Sequence, residues 1–351
     1  LFVFYEVLTL STYPLVTHSR TDDARAAGRI YLGILLSTSV LFLLFAIVWT
    51  WQLTGTLEFQ PGGILRGHAD PVMVGVLLAL FAFGTGKAAL MPFHLWLPAA
   101  MVAPTPVSAL LHAVAVVKAG VFSILKIVIY IFGIDLLAET GMSTWLTWVA
   151  SFTILAASLV ALTKDNLKAR LAYSTVSQLS YIVLGAALAS STGILGGGMH
   201  IAMHAVGKIT LFFVAGAIMV TAHKTEVSEM RGLGRQMPIT MACFAIGSLS
   251  IIGLPPMGGS WSKWFLLLGT IDAGMVPLAG VLIVSSLLNI AYLMPVVARA
   301  FFTPAAAGEA QGLKEAPLFC LVPICLTSFG CLILFFYADA LYDLLKPLVT
   351  S

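Results

Sequence analysis

The chain has 351 residues, of which 60% are hydrophobic and 9% charged, and its formal net charge is +3. An ordinary soluble domain carries about 25% charged residues, so this composition excludes one and places the chain in a bilayer. Apolar stretches recur from end to end, each long enough to cross the hydrocarbon core as a helix. The period-two alternation of a membrane barrel is absent.

In chain order ten spans are predicted: 1–17, 28–53, 71–91, 105–133, 143–163, 168–190, 193–221, 239–271 (interrupted), 275–300 and 317–341. The chain starts at Leu1 in the middle of an apolar run, without the charged region and cleavage site of a signal peptide. The expectation is a fragment that lacks upstream helices. Loops 18–29, 164–170, 223–237 and 299–316 hold 11 of the 18 basic residues, and the alternate loops with the C-terminal end hold 2, Arg66 and Lys346. By the positive-inside rule the first set faces the cytoplasm, which predicts a multi-pass protein of the inner cell membrane. The five remaining basic residues are lysines inside the spans.

Those lysines define the functional question. Glu6, Lys87, Lys118, Lys126, Lys208 and Lys263, with His112, His200 and His204, all fall in apolar runs. A lysine at a helix centre in the membrane costs about 2.5–3.5 kcal/mol on insertion scales. Several in different helices point to a buried ionisable track that moves protons or small cations.

Glu6 lies in the first span, where a lone buried carboxylate holds its proton unless a cation stands near. Lys87 is the candidate partner. The third span is broken after Lys87, at Met91-Pro92, and the eighth is broken by Gly253-Leu254-Pro255-Pro256-Met257-Gly258-Gly259 just before Lys263. Proline removes a backbone donor and clashes with the preceding turn. Non-helical backbone at membrane depth survives only when buried in protein or lining a wet cavity. Paired Gly/Pro-interrupted spans point to repeats with a site near the midplane, and the five-helix offset between the breaks makes those repeats inverted. Two simple packing kinks are the alternative.

In the fourth span His112 and Lys118 lie about 120° apart on the helix wheel, so they meet different neighbours. Lys126, nearer the outer end, is expected to snorkel. In the seventh span His200, His204 and Lys208 follow i, i+4, i+8 spacing, a line of about 12 Å along one face. Imidazole passes a proton through either nitrogen near neutral pH, so the line reads as a relay. Zinc is the alternative, but the glutamate of H-E-x-x-H is missing. A purely structural histidine face is another. Cys243, Cys320, Cys325 and Cys331 lack C-x-x-C spacing and read as small buried hydrophobes. Gly207-Lys208-Ile209 lacks the residues of a phosphate loop. No cofactor, metal or nucleic-acid site is expected.

Longer motifs carry a resemblance. Gly86-Lys87, Leu95-Trp96-Leu97-Pro98-Ala99-Ala100-Met101, Ala103-Pro104-Thr105-Pro106-Val107-Ser108-Ala109-Leu110-Leu111-His112, Leu171-Ala172-Tyr173-Ser174-Thr175-Val176-Ser177-Gln178 and the His200/His204/Lys208 helix run through the chain. Together they resemble the antiporter-like membrane subunits shared by respiratory complex I, membrane-bound hydrogenases and Mrp-type multisubunit Na⁺/H⁺ antiporters. The resemblance implies a core of about fourteen helices, a single proton-translocating domain over 1–351, and other membrane subunits as partners. It also implies roles. Glu6 looks like the family's fifth-helix glutamate paired with the lysine of the broken seventh helix, here Lys87. Lys118 looks like the eighth-helix lysine, Lys208 lies on the eleventh helix, and Lys263 looks like the terminal residue on the twelfth. Asn166-Leu167-Lys168-Ala169-Arg170-Leu171-Ala172-Tyr173 and Gly258-Gly259-Ser260-Trp261-Ser262-Lys263-Trp264 look most like the D-type member of the Mrp antiporters. The redox relatives share nearly all these residues.

The leading reading is an all-α, polytopic helical bundle with inverted repeats and two discontinuous helices. It would translocate protons as an antiporter subunit, with Na⁺ as the second ion. The alternative is a proton-pumping subunit of NADH:quinone oxidoreductase or a related hydrogenase, whose redox chemistry belongs to partner subunits. A self-contained metabolite transporter would instead need a midplane pocket of substrate-specific polar groups.

Overall fold

A computed structural model describes residues 1–305 and 312–350. Among them no strand forms, and one isolated bridge, Asn166 to Glu226, ties two loops. The helices that matter are α1 (Phe2–Val16), α2 (Asp22–Thr54), α3 (Pro71–Gly84), α4 (Thr105–Phe132), α5 (Thr144–Thr163), α6 (Leu167–Ala187), α7 (Ser191–Ala222), α8 (Pro238–Ile252), α9 (Gly259–Asp272), α10 (Val276–Phe302), α11 (Leu318–Phe336) and α12 (Ala338–Leu345). Six of them, α2, α4, α5, α7, α10 and α11, are long and apolar enough to cross a membrane. The chain is a multi-pass membrane protein. Helix occupies every predicted span, interrupted at the two breaks and, in the last span, at Tyr337. The 306–311 part of the basic loop 299–316 lies outside the described residues.

Local chemistry sets the helix starts. Thr21 accepts from Ala24 N at 3.2 Å, so α2 begins at Asp22, ahead of the expected span. Asp70 accepts from Met73 N at 2.9 Å with Pro71 in the first turn, Asn166 from Ala169 N at 3.1 Å, and Ser190 from Gly193 N at 3.1 Å. Each satisfies an amide that the first turn leaves open.

Two of the long helices are not regular throughout. In α4 the Ala115 amide reaches back five residues to Leu110 O at 2.9 Å, and Gly133 N does the same to Val128 O at 2.9 Å. In α2 a similar widened turn covers Ser39–Leu43. Such turns re-aim side chains and favour functional sites; the first in α4 contains His112.

α6 lies at the centre, packed on α5 and α7, while α7 also meets α8, α9 and α11. Nearly all of α6 is buried although it carries Ser174, Thr175, Ser177, Gln178 and Ser180. Lipid cannot satisfy such groups, so they face neighbouring helices. The periphery is the reverse: Leu318, Phe319, Leu326, Phe329 and Phe336 of α11 are exposed, as an acyl-chain contact surface requires. Of the four cysteines, all free, Cys243 and Cys331 are buried as expected, whereas Cys325 is exposed on that apolar surface.

Both breaks exist. α3 ends at Gly84, before Lys87 and not after it, so Lys87 sits inside the unwound segment within a tight turn, Gly86–Ala88. Its amide is taken by Tyr5 Oη at 3.1 Å instead of a helical carbonyl. The chain then passes the cis Met91–Pro92 bond, leaving Pro92 exposed. At the second break α8 stops at Gly253, whose φ of +88° suits only a residue without Cβ. After the cis Pro255–Pro256 bond, Gly258 N donates to Cys331 O of α11 at 2.9 Å and α9 starts at Gly259 against the Ser250 carbonyl.

A buried polar track as the candidate functional site

Lys87 is fully buried. Its ammonium donates to Tyr5 O at 2.7 Å and Thr9 Oγ1 at 2.6 Å, and stands 3.1 Å from the centroid of the Tyr5 ring. The predicted ion pair with Glu6 is not formed. Both carboxylate oxygens of Glu6 are buried without a hydrogen-bond partner, although the group is within electrostatic reach of Lys87. The reason is rotational: Tyr5 and Thr9, four residues apart on α1, share the face toward the break, and Glu6 is turned off it by about 100°. Trp96 Nε1 braces the same segment from behind, donating to Gly86 O at 2.9 Å.

Lys118 reaches across to α7, where its ammonium lies 2.6 Å from His204 Nδ1. His112 and Lys118 meet different neighbours, as their separation of about 120° on the helix wheel implies. His112 is fully buried with both ring nitrogens unpartnered, its ring 5.2 Å from that of Phe212. Buried polar atoms left without a partner are rare in native interiors.

The line His200, His204, Lys208 exists on α7, yet its members do not bond one another. The rings of His200 and His204 are 5.8 Å apart, and His204 Nε2 has no partner. Neighbouring helices lace the line sideways instead. His200 Nδ1 meets Ser262 Oγ at 2.8 Å and its Nε2 meets Gln178 Oε1 at 3.1 Å. Lys208 donates to Leu171 O at 3.1 Å and Ser174 Oγ at 2.7 Å. Ser174 Oγ is in turn 2.8 Å from Tyr292 Oη.

These branches converge on Asn289 of α10. Its amide is assigned, from its hydrogen-bonding neighbours, the orientation in which the nitrogen faces Tyr292 Oη at 2.5 Å and the oxygen accepts from Lys263 at 3.1 Å and Gln178 Nε2 at 3.0 Å. In that orientation every donor meets an acceptor. Lys263 also caps the first half of the broken helix, donating to Ile252 O at 2.9 Å and Ser286 Oγ at 3.2 Å. Lysine at a helix C-terminus is favoured by the dipole as well as by the free carbonyl. One chain of hydrogen bonds therefore joins Lys208, Ser174, Tyr292, Asn289 and Lys263, and a side branch runs through Gln178 to His200.

Among the described residues no carboxylate hydrogen-bonds to a lysine of the track. Among the described residues the two ion pairs are Arg25–Asp22 and Arg66–Glu139, both exposed. Lysines solvated by carbonyls, hydroxyls and imidazoles are not locked as ammonium by a fixed counter-charge, so either protonation state fits the same cage. Lys126 stands apart, its ammonium 4.4 Å from the Phe59 ring centroid, linked to none of the track. No cluster of metal-ligating side chains occurs among the described residues.

Ser174, Gln178, Asn289 and Tyr292 are not among the charged residues that the sequence singles out. Ser174 and Gln178 lie inside one of the motifs that carry the family resemblance. Asn289 is the one amide of α10, and polarity in an apolar span was the available signal.

The fold and this interior define a class: a polytopic membrane subunit with ionisable groups threaded between broken helices. The sequence matches the family described as NADH:quinone oxidoreductase/Mrp antiporter, transmembrane, over residues 1–289. It is 33% identical over 349 residues to NADH-quinone oxidoreductase subunit N of Desulforudis audaxviator, covering 95% of this chain and 69% of that protein. It is 34% identical over 301 residues to hydrogenase-4 component B of Escherichia coli, covering 79% of this chain and 43% of that one. Its fold superposes on a chain of the Mrp complex from Dietzia sp. with a TM-score of 0.86 at 25% identity, over 99% of this chain and 72% of that chain. The chain belongs to this family of antiporter-like membrane subunits.

Proposed function

We propose that the chain translocates protons along the track Glu6, Lys87, Lys118, His204, His200, Lys208 and Lys263, as one membrane subunit of a larger complex. The observation that carries this reading is the hydrogen-bonded chain of neutral side chains that links Lys208 to Lys263, with Asn289 at its junction. Water bridges the remaining gaps, at His112 and around Glu6, where buried polar atoms have no partner. The second break supplies the Ile252 carbonyl to Lys263, and the first holds Lys87 against Tyr5 O of α1, with both breaks beside a lysine as expected of inverted repeats with a midplane site. The basic loops face the cytoplasm.

Within the family the antiport reading, Na⁺ against H⁺ as in the D-type member of the Mrp antiporters, is supported by the superposition on the Mrp complex chain and by the Gly258–Trp264 stretch. A second reading, a proton-pumping subunit driven by redox partners, is favoured by the identity to subunit N. The discriminating assay uses sealed vesicles carrying the whole complex. Transport driven by a Na⁺ gradient alone supports the first, and transport that requires NADH or H₂ oxidation supports the second. Under either drive Lys87→Ala is expected to abolish transport while the complex still assembles. Wild-type rates in that variant would sink the proton-track reading at the first break.

A further inference from the structure

We infer that the surface groove between α2 and the segment following the first break is a binding site for one anionic phospholipid. The groove encloses about 690 Å³. Ile30 and Gly33 of α2 form one wall, Leu95 and Pro98 the other, and Tyr173 and Lys164 close its basic-side end. At Gly33 nothing lies within 4 Å of where a Cβ would stand, so the glycine leaves the floor open. Leu95 is 53% exposed on the opposite wall. This is an apolar trough at acyl-chain depth, ending where the basic loops begin.

The cation at that end has no ion-pair partner among the described residues. The Lys164 ammonium lies 5.6 Å from the Tyr173 ring centroid. The carboxylate nearest in sequence, Asp165, is engaged by the amide and hydroxyl of Ser228. Arg29 is exposed at the edge of the same wall, beside Ile30. Basic pockets between membrane helices on the cytoplasmic side recruit anionic head groups. A phosphate with a net negative charge fits this end, and its acyl chain fits the trough.

The site has a route to the track. The wall that a lipid would press carries Trp96 on its inner side, and Trp96 donates to Gly86 O beside Lys87 at 2.9 Å. Tyr173 is also 6.3 Å, ring to ring, from His94 of the same segment. Filling the trough therefore steadies the unwound backbone that cages Lys87.

The test counts lipid directly, so it does not depend on transport. The intact complex, purified in mild detergent with added phosphatidylglycerol, is examined by native mass spectrometry. Wild type and Lys164→Arg are expected to retain one phosphatidylglycerol that Lys164→Gln and Gly33→Phe both lose. Lys164 is partly exposed, so its variants fold even if Gly33→Phe does not. In titrations, Lys164→Gln should need about fivefold more phosphatidylglycerol for the same occupancy, the worth of one basic residue at a lipid surface. Equal retention in all four proteins would overturn the proposal. So would phosphatidylcholine held as tightly as phosphatidylglycerol, which would mean an apolar cleft without head-group recognition. A cross-link from Gly33→Cys to a neighbouring subunit in native membranes would overturn it too, by showing that protein, not lipid, fills the groove.

Discussion

Asn289 is where the two branches of the track meet, so Asn289→Leu is the most informative single change. Leucine has the same number of side-chain heavy atoms and the same branch at Cγ as asparagine and belongs in an apolar helix, but it removes the acceptor shared by Lys263 at 3.1 Å and Gln178 at 3.0 Å, and the donor to Tyr292 at 2.5 Å. A hydrogen bond to a charged group contributes about 1.5–3 kcal/mol. If that interaction holds the proton's path between Tyr292 and Lys263, its loss slows transfer by about 10- to 150-fold, since each 1.36 kcal/mol is tenfold in rate. Lys263 keeps Ile252 O and Ser286, so the helix cap and the complex should persist. Tyr292→Phe cuts only the Lys208 branch and leaves Gln178 joined to Asn289, so it should slow transport less. The assay is decay of an imposed pH gradient in sealed vesicles, with complex abundance measured alongside. Asn289→Leu at the wild-type rate and normal abundance, or Tyr292→Phe slower than Asn289→Leu, would refute the convergence argument.

Two further outcomes follow from the geometry. Lys263→Arg should impair transport because a guanidinium is effectively never deprotonated in a protein, whereas Lys126→Arg, stacked over Phe59 outside the track, should run normally; equal rates in both would remove Lys263 from the relay. Gly120→Ala would set a Cβ 2.8 Å from Lys87 O, a backbone atom with nowhere to move, so overpacking of about 1–3 kcal/mol should lower the thermal midpoint of the purified complex. An unchanged midpoint would mean that α4 and the first break are less tightly packed than described.

Much of this was legible in the sequence because membrane burial is a local property. Run length and hydropathy marked the helices, prolines and glycines marked the two breaks, and lysines in apolar runs announced an ionisable interior. Even the i, i+4, i+8 line of His200, His204 and Lys208 is a consequence of helix pitch alone. What each lysine touches was decided elsewhere. Lys87 rests on Tyr5 and Thr9 and not on Glu6 because α1 presents that face to a break that opens at Gly84, before the lysine. Lys118 binds His204, 86 residues away, and Ser174 binds Tyr292, 118 residues away. Those contacts depend on the relative rotation of packed helices, which no spacing within a single helix specifies. The connecting groups, Ser174, Gln178, Asn289 and Tyr292, are neutral, so charge did not reveal them. They become a path only where α6, α7, α9 and α10 close around one another and leave no water or lipid to satisfy them.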